Sequence, residues 1–161
     1  MEGFCVDILN NGVAIFSGIL LLITVCTIIN YIITSLALYN VAKAEGDDKP
    51  WLAWIPIGNA YMTIKLGKGN MLFIIPFVLA MIFTGMIRNI SIVIYTAYSI
   101  YMYKNICDRY NASFLPILIG SLSLIVGIVP ALINANILIY LIGLYGQWNL
   151  YRCVTKKVKV Q

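Results

Sequence analysis

Residues 110–151 read YNASFLPILIGSLSLIVGIVPALINANILIYLIGLYGQWNLY, a run of 42 residues without one Asp, Glu, Lys or Arg. As a single helix at about 1.5 Å per residue it would extend about 63 Å, twice a hydrocarbon core of about 30 Å. It must fold back on itself. The turn is expected at Val129 to Asn136, where Pro130 lacks a backbone donor and Asn134 and Asn136 favour a polar interface. Phe114 to Ile128 and Ile137 to Tyr151 are then antiparallel partners.

Upstream, charges delimit uncharged runs at 8–42, 69–87 and 89–103. The first opens with Asn10, Asn11 and Gly12, so its helix is expected from Val13 to about Asn40, a long tilted span. The second and third fit one short helix each, and the third reaches span length if Lys104 snorkels to the interface. The whole chain of 161 residues is 61% hydrophobic and 11% charged, with a mean hydropathy of +0.92. Globular domains in water run near 45 to 50% apolar and about 25% charged. The composition therefore indicates an all-α integral membrane bundle of about five transmembrane helices, one domain over 1–161.

Charge orients it. With the amino terminus outside and five spans, ten of the eleven basic residues face the cytoplasm: Lys43, Lys49, Lys65, Lys68, Lys104, Arg109, Arg152, Lys156, Lys157 and Lys159. Only Arg88 faces out. The alternative of four spans would leave the basic tail, 152–161, on the outside, and three spans would need helices far too long. That tail is expected to be cytoplasmic and to lie against anionic lipid. Glu2 and Asp7 stand where a secretory signal would carry Lys or Arg, so the first span reads as retained.

Between the first two spans lies a cytoplasmic loop, 43–70. Glu45, Asp47 and Asp48 are followed by Trp51, Ala53, Trp54, Ile55, Pro56, Ile57, Gly58, Asn59, Ala60 and Tyr61, then Lys65 and Lys68. Trp and Tyr prefer headgroup depth and Lys its aqueous side, so an interfacial helix is expected, with Trp51 and Trp54 at the headgroups. These residues resemble a family of small bacterial polytopic membrane proteins of unassigned function, marked by Trp-x-Ala-x-Ile-Pro-Ile-x-Asn-x-Tyr, a Lys and a Gly-Lys. Trp51, Ala53, Ile55, Pro56, Ile57, Asn59, Tyr61 and Lys65 match that pattern in register, and Gly67 with Lys68 match one residue early. Ile75, Pro76 and Phe77 resemble its second Ile-Pro element, without the Asn that follows there. The resemblance covers about residues 20–116 and implies a membrane protein; it brings no activity.

No catalytic, cofactor or metal site is expected. The chain has no His, and Cys5, Cys26, Cys107 and Cys153 lie far apart. Asp108 sits between Lys104 and Arg109 in one helical turn, as in a structural ion pair. A non-enzymatic role remains. The first span gathers Ser17, Thr24, Thr27, Asn30, Tyr31 and Thr34 largely on one side. Thr27, Asn30 and Thr34, with Arg88 near the outer mouth, are the candidate lining of a passage for ions or small solutes in a homo-oligomer. The alternative is a scaffold, accessory or immunity-type subunit with an unidentified membrane protein partner, using the small-residue surfaces at Gly120, Ser123, Gly127, Gly143 and Gly146. Apart from the lipid bilayer and such a partner nothing else is called for, and nucleic acid is not expected.

Cysteines placed at Gly3 and Lys157, in a chain whose native Cys are replaced, are expected to react with an impermeant maleimide from opposite sides of the membrane. Reaction from one side would require an even number of crossings.

Overall fold

The computed structural model describes residues 2–126 and 133–160, and these are all-α, with no strand among them. The helices are α1 (Glu2–Ala44), α2 (Pro56–Leu66), α3 (Ile74–Ile82), α4 (Gly85–Tyr110), α5 (Phe114–Val126) and α6 (Ile133–Val160). Short 3₁₀ turns at Pro50–Trp54 and Met71–Phe73 precede α2 and α3. The chain divides into two units, Met1–Ile32 and Ile33–Gln161.

The first unit is helical, with Val13, Leu21, Leu22, Val25, Ile28, Ile29 and Ile32 exposed. The helix runs through Asn10, Asn11 and Gly12 rather than starting at Val13. Asn and Gly lower helix propensity by a fraction of a kcal/mol to about 1 kcal/mol, which a long apolar helix can absorb. Among the described residues, one helical stretch, Thr24–Ala44, is long and apolar enough by itself to cross a membrane.

The second unit is held by one apolar cluster. Leu38, Val41, Met62, Leu66, Ile106, Ile117, Leu150 and Val154 are fully buried and come from the end of α1 and from α2, α4, α5 and α6. Sequence chemistry sets the helix limits. Ile55 is extended, as a residue before proline prefers, and Pro56 opens α2, where its missing N–H costs nothing. Asn111 closes α4 in the left-handed conformation (φ 51°), and the Ala112 N–H reaches back to the Cys107 carbonyl at 3.0 Å.

Contacts fix the directions. Phe73 stacks on Tyr98 with ring centroids 3.7 Å apart, and Phe77 meets Tyr95 at 4.9 Å, so α3 climbs as α4 descends. Ser113 N–H donates to Asn149 Oδ1 at 3.2 Å, Gly146 faces Ile117, and Gly120 faces Gly143. Residue numbers thus rise on α5 as they fall on α6, which makes the two antiparallel, as expected of a folded-back run. A Cβ on Gly143 would lie 2.6 Å from the Gly120 Cα, so these two backbones approach as closely as glycine permits.

Three expectations change. The 69–87 stretch is not one helix: α3 has nine residues, and the chain breaks at Phe83–Thr84 before Gly85 (φ 68°) opens α4. The fold-back at Val129–Asn136 lies partly outside the described residues, but α6 already begins at Ile133, so Asn134 and Asn136 stand in its first turn. The segment expected only as a basic tail carries helix, because α6 continues to Val160 and Val154 is buried in the core. A Leu at Gly143 is expected to lower thermal stability in detergent by about 1 to 3 kcal/mol through overpacking. A Leu at exposed Tyr145 should leave the melting temperature nearly unchanged.

Candidate functional site

The motif residues of the 43–70 loop build a return path into the bundle. The Asp47 N–H bonds the Ala42 carbonyl at the end of α1 (2.9 Å), and the Asn59 side chain, twelve residues on, reaches Ser35 Oγ at 3.4 Å. Ser35 lies seven residues up α1 from Ala42, about 10 Å of rise. From there α2 runs back, and Lys65 Nζ meets Asp47 Oδ2 at 2.5 Å, closing the base. Gly58, Ala60, Met62, Thr63, Ile64 and Leu66 of the segment are all buried in protein. Small and polar side chains make the approach possible. Ala53 is fully buried, a Cβ on Gly58 would collide with the Leu52 carbonyl, and Asn59 Nδ2 also donates to the Ala53 carbonyl at 3.0 Å. Trp51, Trp54, Ile55 and Ile57 remain exposed.

Asp47 is well covered, at 6% side-chain exposure, whereas Lys65 is 42% exposed. The Lys65 ammonium, helped by the Lys49 N–H, holds the Asp47 carboxyl below its ordinary value. Asp47 in turn raises Lys65.

At the same end, Arg109 gathers three elements. Its Nη1 donates to Glu45 Oε1 at 2.5 Å, its Nη2 to the Leu66 carbonyl at the end of α2, and its Nε to the Asn105 carbonyl at 3.2 Å. Asn105 Nδ2 donates to the Gly67 carbonyl at 3.1 Å, and Lys157 Nζ to the Arg109 carbonyl at 2.8 Å. The C-termini of α1, α2 and α4 and the last turns of α6 therefore meet, and cations sit where the helix dipoles are negative. Arg109 pairs with Glu45 and not with its neighbour Asp108.

A second polar group occupies the interior. Ser91, Thr96, Ser99 and Tyr103 are buried along one side of α4, while Met86, Ile87, Ile90, Val93, Ile94 and Tyr101 are exposed on the other. Thr63 of α2 and Gln147 of α6 lie within hydrogen-bonding reach of the Tyr103 hydroxyl, and Thr63 Oγ1 donates to the Asn59 carbonyl at 3.0 Å. A line of polar groups thus runs from Ser35 through Asn59, Thr63 and Tyr103 to Gln147. Thr96 Oγ1 and Gln147 Oε1 are buried without a hydrogen-bond partner. The Tyr98 hydroxyl accepts from the Asn70 N–H at 2.6 Å.

Of the passage residues expected from sequence, Thr27 and Asn30 belong to the first unit, and Thr34 and Arg88 to the second. Thr27 and Arg88 are exposed, Asn30 and Thr34 half-buried, and Thr27, Asn30 and Thr34 are each engaged in an interaction. Arg88 stands in the first turn of α4, one turn before Ser91. Tyr61 is half-buried under Lys65, whose ammonium lies 5.9 Å from its ring centre. Among the described residues no group of His, Cys, Asp or Glu could hold a metal ion. Sequence reading missed Asn105 and Gln147 and gave Arg109 a local partner, whereas Gly67, Tyr103 and Glu45, their partners, are far away in the chain. No family model, curated protein or solved structure matches the chain.

The loop's closure is expected to depend on pH at both ends. Asp47 has a lowered folded pKa, so its stabilisation is present above the ordinary carboxylate value of about 3.9 and disappears as pH falls through the lower folded value. Lys65 has a raised folded pKa, so its stabilisation is present below about 10.4 and disappears as pH rises through the higher folded value. Emission from Trp51 and Trp54, in a Trp148→Phe chain, should stay constant between those limits and shift below the acid one. In Asp47→Asn the acid shift should vanish.

Proposed function

We propose that the chain is a polytopic membrane protein of five crossings, amino terminus outside and carboxyl terminus in the cytoplasm, that provides a passage for ions or small polar solutes as a homo-oligomer. The inverted patterning of α4 carries this reading. A helix with Ser91, Thr96 and Ser99 inside and Met86, Ile87, Ile90, Val93 and Ile94 outside is the reverse of a helix at the surface of a protein in water. Hydrocarbon around the bundle accounts for both faces.

Lengths support the crossings. The uncharged part of α4, 89–103, rises about 22 Å and approaches a hydrocarbon core of about 30 Å when exposed Lys104 snorkels to the interface. The directions of α3, α4, α5 and α6 alternate as successive crossings require, and the ends that gather Arg109, Lys65 and Lys157 form the cytoplasmic side. The returning α2 is then a re-entrant segment, buried in protein where non-spanning backbone is tolerated. The same loop is where the chain resembles the small bacterial membrane family, whose members have no assigned activity.

Polar side chains inside a membrane bundle are costly, and two oxygens here, Thr96 Oγ1 and Gln147 Oε1, are buried without a hydrogen-bond partner. Thr96, Ser99, Tyr103 and Gln147 are therefore the inner lining, and Arg88 lies at their outer end. The scaffold reading keeps one specific support: the Gly120–Gly143 contact is a device for rigid packing.

Purified protein in planar bilayers tests the proposal. A stable oligomer should conduct, Arg88→Glu should change its ion preference, and Gln147→Leu should lower conductance about tenfold, equivalent to about 1.4 kcal/mol on the barrier. A monomer, or an oligomer silent in every condition, would put the scaffold reading first.

A further inference from the structure

A cleft of about 240 Å³ opens at the cytoplasmic end of the second unit between Ala44, Arg109, Tyr110, Lys157 and Val158. Two of its five lining side chains are cations, and a third is a tyrosine. The Lys157 ammonium lies 5.2 Å from the Tyr110 ring centre, so the three polar groups form one wall-to-wall cluster.

The cations are not fully used within the chain. A guanidinium has five N–H donors and an ammonium three. Arg109 directs bonds to Glu45, Leu66 and Asn105, and Lys157 directs one to the Arg109 carbonyl, which leaves two donors on each. Helix-end carbonyls do not consume the rest. The Val41 carbonyl accepts from Glu45 N–H, Ala42 from Asp47 N–H, and Cys107 from Ala112 N–H. Charge points the same way. Glu45 offsets Arg109, while no described acidic side chain pairs with Lys157.

Spare donors on Arg and Lys, a tyrosine hydroxyl and one uncompensated positive charge suit a phosphate group. Ala44 and Val158 add apolar walls beside it. We propose that this cleft holds the phosphate of an anionic phospholipid from the cytoplasmic leaflet, a second site that does not depend on passage of a solute. Free inorganic phosphate has the same headgroup chemistry, so the test separates the two sources.

Full-length protein in detergent is titrated with phosphatidylglycerol, with phosphatidylcholine and with inorganic phosphate, reading thermal stability and bound lipid by native mass spectrometry. Lys157→Gln removes the cation in the cleft, and Lys156→Gln removes the same charge from the neighbouring exposed position outside it. Lys157→Gln is expected to weaken phosphatidylglycerol about fivefold, equivalent to about 1 kcal/mol for one basic residue, with Lys156→Gln nearly unchanged and Lys157→Arg retaining binding. Phosphatidylcholine should bind weakly to all. A response to inorganic phosphate alone, lost in Lys157→Gln, would keep the phosphate site and assign it to a soluble ligand. Equal losses in both Gln variants, or no loss in either, would overturn it, since either result makes the attraction diffuse charge or nothing.

Discussion

The second unit depends on the Arg109 guanidinium. Three helices end where it sits, and each end leaves carbonyl groups that the helix cannot satisfy itself. One planar fork serves Glu45 after α1, the Leu66 carbonyl of α2 and a carbonyl of its own helix, while Lys157 of α6 serves the carbonyl of Arg109. A lysine could not reproduce that fork, because an ammonium offers a compact point charge without a fixed plane of donors. The apolar cluster of Leu38, Met62, Ile106 and Leu150 lies directly inside this polar end, so its members are brought together by the same convergence.

Convergence of C-termini also explains where the charge is. Parallel helix ends accumulate partial negative charge, and basic residues near them are stabilised by the field. The excess of Lys and Arg at this end therefore serves two purposes at once under the proposed placement, stabilising aligned helix ends and fixing the cytoplasmic side. The acidic residues are fewer and act locally, with Asp47 closing the returning loop and Glu45 fixing the guanidinium.

Much of the fold was legible from runs of uncharged residues, because those runs reflect a constraint along the chain. Run length required the 110–151 stretch to double back, and Gly120 against Gly143 shows the two arms side by side. The boundary near Arg88 was legible too, since α4 starts three residues before it. What was not legible depended on partners distant in sequence. Trp, Tyr and Lys together suggested an interfacial helix, and the contacts that hold the segment come from Ala53, Gly58 and Asn59, small or amide-bearing, with Asn59 reaching Ser35 of α1. Nothing in composition distinguishes an asparagine that anchors a loop to Ser35 from one exposed at an interface. The charges of Lys104, Asp108 and Arg109 suggested a local pair, yet Glu45, 64 residues from Arg109, was the partner.

The shortness of α3 follows from the same arrangement. Gly67 packs on Met102, Asn70 on Tyr98 and Phe77 on Tyr95, so residues 67–84 climb beside the stretch of α4 that runs from 85 to 102. That stretch rises about 26 Å over seventeen steps. The climbing segment has about as many residues, but its first third is spent on the turn around Gly67 to Asn70 and on a 3₁₀ turn, which rises about 2.0 Å per residue against about 1.5 Å for an α-helix. The 3₁₀ turn (about 6 Å), nine α-helical residues (about 13.5 Å) and the extended Phe83 and Thr84 (about 3.3 Å each) together make up that ascent. Averages over whole helices undervalue such elements, because the 69–87 stretch is divided and α4 turns hydroxyls inward. In a lipid placement the outer face alone must be apolar, and on α4 it is from Ile90 to Tyr101.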